Sequence, residues 1–135
     1  MINNQWYQDA ITSIYSRVRA ITLDNLKTEY ANLKITDDES SISATNIPTV
    51  YIHALQPYER GQDLAGDSIN AISLTMQVEV YAKNKMSAKK ISSVVVDAFK
   101  DMRFSGTLPE SQNNLTGVER MVSRYQRLIG SNDKI

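Results

Sequence analysis

The most informative absence in this chain of 135 residues is that of cysteine. Without cysteine there can be no disulfide, no thiolate nucleophile and no cysteine-based zinc or iron–sulfur site. No apolar run approaches the roughly 20 residues that a membrane-spanning helix needs, and the first residues lack the features of a signal peptide. We therefore expect a soluble, single-domain protein, residues 1–135, that stays where it is made and is stabilised by packing or by assembly.

Sequence motifs for catalysis and for metal or phosphate binding are also missing. The only histidine, His53, falls in a predicted strand, where a single histidine is more often packed or solvent-exposed than catalytic. The acidic run at residues 37–39 lacks the spacing of a calcium loop, and the two glycines of residues 61–66 lie in an acidic stretch without a following Gly-Lys-Ser/Thr. We predict no catalytic residue, no cofactor and no metal, and so not an enzyme.

Charge is balanced overall but unevenly distributed. The chain has 15 basic and 15 acidic residues, so no global field attracts nucleic acid or an acidic substrate. Residues 36–68 contain six acidic residues and one arginine, whereas the second half of the chain is basic. This pattern fits either an ordinary patchy surface or a subunit with an acidic and a basic side that meets its neighbours head to tail in a ring.

The second interpretation supplies a set of candidate interface residues. They are the acids Asp37, Asp38, Glu59, Asp63 and Asp67 and the bases Lys89, Lys90, Arg120, Arg124 and Arg127. The three arginines, together with Tyr125, could alternatively form a nucleic-acid patch. Duplex-binding proteins usually concentrate far more positive charge than this, so pairing with acids of the same or a neighbouring subunit is favoured.

The clearest structural signal is a strand followed by a helix. Apolar residues alternate with polar ones over residues 72–80, which predicts a strand with one buried and one solvent-facing side. Residues 88–102 have apolar residues three and four apart, which predicts an amphipathic helix that folds back over the buried side of that strand. The other predicted elements are a helix from residue 4 to about residue 33, a short edge strand from residue 34, a strand at residues 49–56, a long connecting loop at residues 58–68, and a polar loop at residues 110–114.

The last element, residues 116–129, fits two structures. Its apolar residues lie on one helical face, Thr116 and Glu119 could form a capping box, and Gly130 could end the helix. If the segment is a strand, Met121, Tyr125 and Ile129 share one side, and the other side also needs covering. Periodicity alone favours the helix.

Several stretches of the chain resemble the tail terminator and tail-completion proteins of long-tailed bacteriophages. The resemblance is one of pattern and length, covers nearly the whole chain, and is carried by residues 47–53, 61–66, 74–80, 99–105 and 119–130. It implies an α+β fold in which helices pack against a mixed sheet of about four strands, in the order α-β-β-β-α-β. It also implies that the last element is a strand, which would place Arg120, Arg124 and Gln126 on one face.

The same resemblance implies a function. Six copies would form a ring that caps the tail tube and joins it to the head–tail connector or stopper protein, in a virion made in the bacterial cytoplasm. The basic face would then look into a channel through which DNA passes, or contact an acidic loop of the neighbouring subunit. Two other functions stay open: a head-side connector or minor capsid protein of the phage neck, and a small accessory enzyme.

Overall fold

Two α-helices and a six-stranded mixed sheet form the α+β fold of the computed structural model, which describes residues 4–42, 47–60, 68–115 and 117–135. The elements are α1 (Trp6–Leu26), β1 (Lys34–Thr36), a short 3-10 helix (Glu39–Ser41), β2 (Thr49–Ala54), β3 (Tyr58–Arg60), β4 (Ala71–Ala82), α2 (Lys85–Asp101), β5 (Ser105–Leu115) and β6 (Val118–Gly130). The strand order is β1-β2-β4-β6-β5, and β3 pairs with β4 outside this path. Among the strands of the described ranges, only the pairing of β1 with β2 is parallel.

The prediction of about four strands in the order α-β-β-β-α-β was wrong in number and in order. Both additional strands lie in segments predicted to be loops. β3 occupies the start of the predicted loop at residues 58–68, where all three of its residues are exposed and give no apolar alternation. Residues 61–67 of that loop lie outside the described residues.

The second additional strand, β5, replaces the predicted polar loop at residues 110–114. It pairs with β6 as an edge strand, and its described residues are largely exposed, so it shows no apolar periodicity. The pairing register shifts between Thr107 and Glu110, and Pro109 lies at this irregularity, where its missing N–H costs no ladder hydrogen bond. Gly106 allows close approach of the strands, because a Cβ there would lie 1.9 Å from the Arg124 carbonyl oxygen.

β6 is a strand, as the resemblance implied, and not the helix that periodicity favoured. Tyr125, Ile129 and Met121 are buried on the side that faces the helices, paired beside β4 residues of the same side. They are four residues apart, and four is both close to one helical turn and twice the strand period. This spacing therefore could not distinguish the two structures.

The core lies between the two helices and one side of the sheet. Ile14 and Val18 of α1 and Ile91 and Val95 of α2 pack in one cluster with the even-numbered residues of β4 from Ile72 to Val80, all with 0–2% exposure. α1 ends at Leu26, earlier than the predicted residue 33, and α2 is capped by the Asn84 side chain, which accepts a hydrogen bond from Ser87 N. No described helix is long and apolar enough to cross a lipid bilayer.

Candidate interaction face of the sheet

The side of the sheet that points away from the helices is the open face. It consists of the odd-numbered residues of β4 and the residues that pair beside them, including His53 of β2 and the even-numbered residues of β6. Along β4 the even-numbered residues are buried, whereas Ser73, Thr75 and Gln77 stay partly exposed. The neighbouring Arg124, Gln126 and Leu128 are exposed. Polar groups that alternate with a buried row thus form a wide, partly solvated surface.

Glu79 is the centre of a hydrogen-bond network on the open face. The residue is 6% exposed, and its Oε1 accepts hydrogen bonds from Arg120 Nε at 2.9 Å and Tyr81 OH at 2.8 Å. Arg120 Nη2 forms an ion pair with the same oxygen, and Gln77 Nε2 donates to Oε2 at 3.1 Å. The carboxylate is therefore well satisfied, as a nearly buried charge requires.

This network shifts the titration of its members. Burial alone would raise the pKa of Glu79, but the hydrogen bonds from Arg120, Tyr81 and Gln77 outweigh it and hold that pKa below its usual value. For Tyr81, burial and the hydrogen bond to the Glu79 carboxylate raise the pKa of the phenol. The ion pair of Glu79 and Arg120 is thus charged at neutral pH, and Arg120 is fully engaged within its own subunit.

His53 joins the edge of this network. Its ring stacks on Tyr51, with centroids 4.4 Å apart, and its Nε2 lies 3.4 Å from Glu79 Oε2. Burial raises the pKa of Tyr51, and the charges of Glu39 and Glu79 raise it further. The acidic run at residues 37–39 is therefore close enough to the β1–β2 end of the open face for its negative charges to act on Tyr51.

The five predicted basic interface residues differ in whether an acidic side chain of the same subunit pairs with them. Arg120 is paired with Glu79, and Lys90 forms an ion pair with Glu29, which raises the pKa of Lys90. Arg127 donates from Nη1 to the Met102 carbonyl at 3.0 Å, at the end of α2. Arg124 donates from Nε to Gln77 Oε1 at 2.8 Å, which orients its exposed guanidinium without neutralising it, and Lys89 is exposed on α2.

Among the predicted acidic interface residues, Asp37 and Asp38 lie at the edge of the sheet that is three strands away from β6 and its arginines. Asp37 and Asp38 are exposed directly after β1, at one edge of the sheet. The Asp38 carboxylate accepts hydrogen bonds from Ser40 N at 3.0 Å and Ser40 Oγ at 2.8 Å, and these bonds lower its pKa. Glu59 is exposed on β3, and Asp63 and Asp67 lie outside the described residues.

The structure also brings together arginines that the sequence did not connect. A shallow pocket of about 550 Å³ opens at the end of the sheet where β3, β4, β6 and β5 lie side by side. Its lining consists of Arg60, Arg103, Arg127, Ser73, Ser105, Gln126 and Leu128. We call this pocket the arginine trough. No acidic residue of the described chain lines it, so it concentrates positive charge on a chain that is neutral overall.

Arg103 occupies an unusual backbone position in the arginine trough. Its φ of 65° lies in the left-handed region, which favours glycine. The turn is a Schellman motif: Phe104 N donates to Phe99 O at 3.1 Å, Arg103 N donates to Lys100 O at 2.9 Å, and the rings of Phe99 and Phe104 pack 5.2 Å apart. A sequence signal existed, because arginine follows the predicted helix end at residue 102, where glycine is usual. A helix end is predicted only to within one or two residues, so the sequence could not show which residue adopts the left-handed conformation.

Among the described residues, no group of three or more histidine, aspartate or glutamate side chains is placed to hold a metal ion. No protein-family model matches the sequence, and a search of curated proteins finds no significant match.

Proposed function

We propose that the chain is a virion structural protein, a ring-forming tail terminator that caps the tail tube and joins it to the head connector without catalysing a reaction. The proposal starts from the sequence resemblance, which covers nearly the whole chain. The strand at β6 supports it, because the resemblance implied a strand where periodicity favoured a helix. The fold agrees in class, although it has more strands than the resemblance implied.

The observation that carries the proposal is the separation of charge across one sheet. Asp37 and Asp38 follow β1 at one edge, whereas Arg124 lies on β6 and Arg103 directly precedes β5, the opposite edge. Complementary surfaces on opposite sides of a subunit produce heterologous contacts, which close into a ring if the rotation between neighbours is suitable. Contacts of this kind depend on charge pairing and weaken as salt screens it.

The first experiment measures assembly directly. Mass is determined by analytical ultracentrifugation across protein and salt concentrations, with and without isolated tail tubes, and assemblies are imaged by electron microscopy. We expect a salt-sensitive ring, six-fold by the resemblance, on the ends of tubes. A protein that binds the isolated connector but not the tube would instead belong on the head side of the junction. A protein that stays monomeric with both partners present contradicts the proposal, most clearly if it turns over a substrate.

The second experiment tests the charge contact. Arg124→Glu should weaken the ring, because Arg124 has an exposed and unneutralised guanidinium on the open face. Arg19→Glu makes the same charge change on the exposed side of α1 and serves as the matched control. An acid-to-lysine change at Asp37 should partly restore assembly of Arg124→Glu only if the two residues meet, since directly paired sites couple in a double-mutant cycle and distant sites add.

A further inference from the structure

We propose that the arginine trough binds the carboxylates of the acidic turn, residues 37–39, of a second copy of this chain. The inference rests on the proposed function and makes it more specific, because it names the two surfaces that meet in the ring. Of the basic interface residues predicted from sequence, Arg127 lines the trough, and the inference adds to it Arg60 and Arg103, which the sequence did not connect.

The trough has the chemistry of a carboxylate site. Three arginines line it, and Arg127 is held in place by its bond to the Met102 carbonyl. A guanidinium binds a carboxylate through two parallel hydrogen bonds, and a second and third guanidinium around the same pocket add to the attraction. Ser73 and Gln126 supply further polar groups in the pocket, and they hydrogen-bond to each other at 3.1 Å.

The backbone at Arg103 points to a role for its side chain. Glycine would adopt the left-handed conformation of this helix end without a steric penalty, and arginine does not. The Schellman hydrogen bonds are made by backbone atoms and do not require arginine. A strained residue whose side chain opens into a cationic pocket suggests that the guanidinium contributes something the fold does not need.

The acidic turn is suited to be the partner. It is exposed and directly follows β1, and the Asp38 side chain fixes its shape through hydrogen bonds to Ser40. Within the described parts of the chain, Asp37 and Glu39 form no ion pair. The turn therefore presents at least two carboxylates whose charge is not neutralised by a neighbouring cation of the same subunit.

The two surfaces lie far apart within one subunit. Thr36, which precedes the turn, is level with Glu79 of β4, whereas Arg60 pairs with Ala71, eight residues along that strand, about 26 Å at roughly 3.3 Å for each residue. Arg103 precedes β5, four strand spacings from β1, about 19 Å at roughly 4.8 Å for each spacing. The contact must therefore form between copies, and since it joins different surfaces it is heterologous.

An acidic protein segment fits the trough better than nucleic acid does. Proteins that bind nucleic acid through the phosphate backbone usually carry a strong excess of positive charge, and this chain has none. The exposed Tyr58, with the Arg60 guanidinium 5.8 Å from its ring centroid, lies beside the trough and could still stack on a base. Oligonucleotide binding is therefore included in the test.

The test uses two changes at one position. Arg103→Gln removes the charge and keeps a non-glycine residue in the left-handed conformation, whereas Arg103→Gly removes both the charge and the strain. Both variants should weaken ring assembly about tenfold or more, the usual effect of losing a charged hydrogen bond at an interface. Thermal unfolding should be nearly unchanged for Arg103→Gln and raised for Arg103→Gly. Arg19→Gln, on the exposed side of α1, is the control and should assemble normally.

A mixing experiment identifies the two surfaces. Arg103→Glu blocks the trough and leaves the turn intact, whereas the double change Asp37→Lys and Glu39→Lys blocks the turn and leaves the trough intact. Each variant alone should stay monomeric. An equal mixture should stop at heterodimers, because only one working trough and turn remain between the two chains. Rings formed by either variant alone, or no dimer in the mixture, would overturn the assignment.

The outcome can be separated from that of the ring proposal. If the wild-type chain forms rings and the Arg103 variants form them equally well, the ring stands and the trough inference is wrong. If no ring forms even with tubes, the trough is tested by titration with a synthetic peptide of residues 34–42 at low salt. Binding to the wild type and about tenfold weaker binding to Arg103→Gln would support the trough. Equal or absent peptide binding, or an oligothymidine that alone binds at Arg103, would contradict it.

Discussion

The two faces of the sheet are formed by the same strands but are stabilised by different interactions. On β4, the even-numbered residues from Ile72 to Val80 have at most 2% exposure and pack under the helices. The odd-numbered residues of the same strand carry hydroxyl, amide and carboxylate groups, and Glu79 is held by the guanidinium of Arg120. The covered face is stabilised by removing apolar area from water, and the open face by mutual satisfaction of polar groups.

Because of this difference, the covered face stabilises the fold, whereas the open face is available for contact with a partner. The covered face needs a particular shape and volume and has no spare surface. The open face holds its central charge internally and keeps other polar groups in water, so a partner can bind there without dismantling the core. The face of the sheet on which a side chain lies should therefore predict the loss of stability on substitution better than the residue type does.

The largest expected effect is a charge placed on the covered face. Val78→Asp puts a carboxylate into the apolar core cluster at a position with 0% exposure, and we expect loss of folding, a cost above about 4 kcal/mol. Thr75→Asp, on the open face of the same strand, should remain folded. Soluble yield and thermal unfolding compare the two. Similar melting of both variants would show that the two faces do not differ as described.

Gln77→Asp would be a poorer open-face control than Thr75→Asp, although the alternation of polar and apolar residues does not distinguish the two positions. Gln77 looks like an ordinary polar residue of the solvent-facing row, but its amide nitrogen donates to Glu79 Oε2 and its oxygen accepts from Arg124. Aspartate there would remove the amide donor to Glu79 and place a second negative charge beside it, but its carboxylate would also lie opposite the Arg124 guanidinium. These two effects oppose each other, so the stability of Gln77→Asp does not report on the open face alone.

Two leucines on neighbouring strands allow the two faces to be compared with the same residue type. Leu74 has 0% exposure on the covered face, whereas Leu128 is 61% exposed on the open face. Leu74→Ala should lower the free energy of unfolding by about 3 kcal/mol, because it removes buried apolar area and leaves a cavity. Leu128→Ala should change it by less than about 0.5 kcal/mol. Chemical denaturation of both variants measures the two values, and a large loss for Leu128→Ala would show that the open face is covered within the subunit.

In β4 and α2, the covered face is also the part that the sequence predicted well, whereas the buried residues of β6 have a spacing that also fits a helix. The alternation over residues 72–80 and the helical spacing over residues 88–102 both correspond to observed elements, β4 and α2. Burial imposes a pattern on sequence wherever one side of an element is dry. β3 and the described residues of β5 are mostly exposed and join the sheet through backbone pairing, so they left no apolar pattern to detect.

The candidate site was harder to predict for a related reason. Sequence reasoning selected cations by type, and it could not know that Arg120 is neutralised by Glu79 or Lys90 by Glu29. It also could not gather Arg60, Arg103 and Arg127, which are far apart in sequence and meet through the pairing of β3 with β4 and of β5 with β6. Charge pairing and pockets depend on register, which composition does not contain.

A smaller effect is expected for the central charge of the open face. Glu79→Gln leaves Arg120 without its counter-ion and should cost about 2 kcal/mol, less than the roughly 3–5 kcal/mol of a fully buried pair because the Arg120 side chain is 25% exposed. Since the folded-state pKa of Glu79 is lowered, its contribution is present above the unfolded-state pKa and is lost as pH falls through the folded-state pKa.

That sign gives a second readout for the same variant. The difference in unfolding free energy between the wild type and Glu79→Gln should be largest at neutral pH and should shrink as pH is lowered below about 4, the usual range of a glutamate. Denaturation curves at several pH values measure it. A difference that stays constant down to pH of about 2 would show that the Glu79 charge does not contribute to stability.

The smallest expected change is an increase in stability, at Arg103 between the end of α2 and the start of β5. Arg103→Gly places at the end of α2 the residue that its φ of 65° favours, and it should raise the free energy of unfolding by about 1 kcal/mol. Part of that gain is offset, because a cation near a helix C-terminus is itself stabilising by a few tenths of a kcal/mol. Arg103→Ala removes the cation without relieving the strain and should be slightly less stable than the wild type. If glycine and alanine behave alike in thermal unfolding, the position is not strained, and the backbone gives no reason to assign its arginine a role beyond the fold.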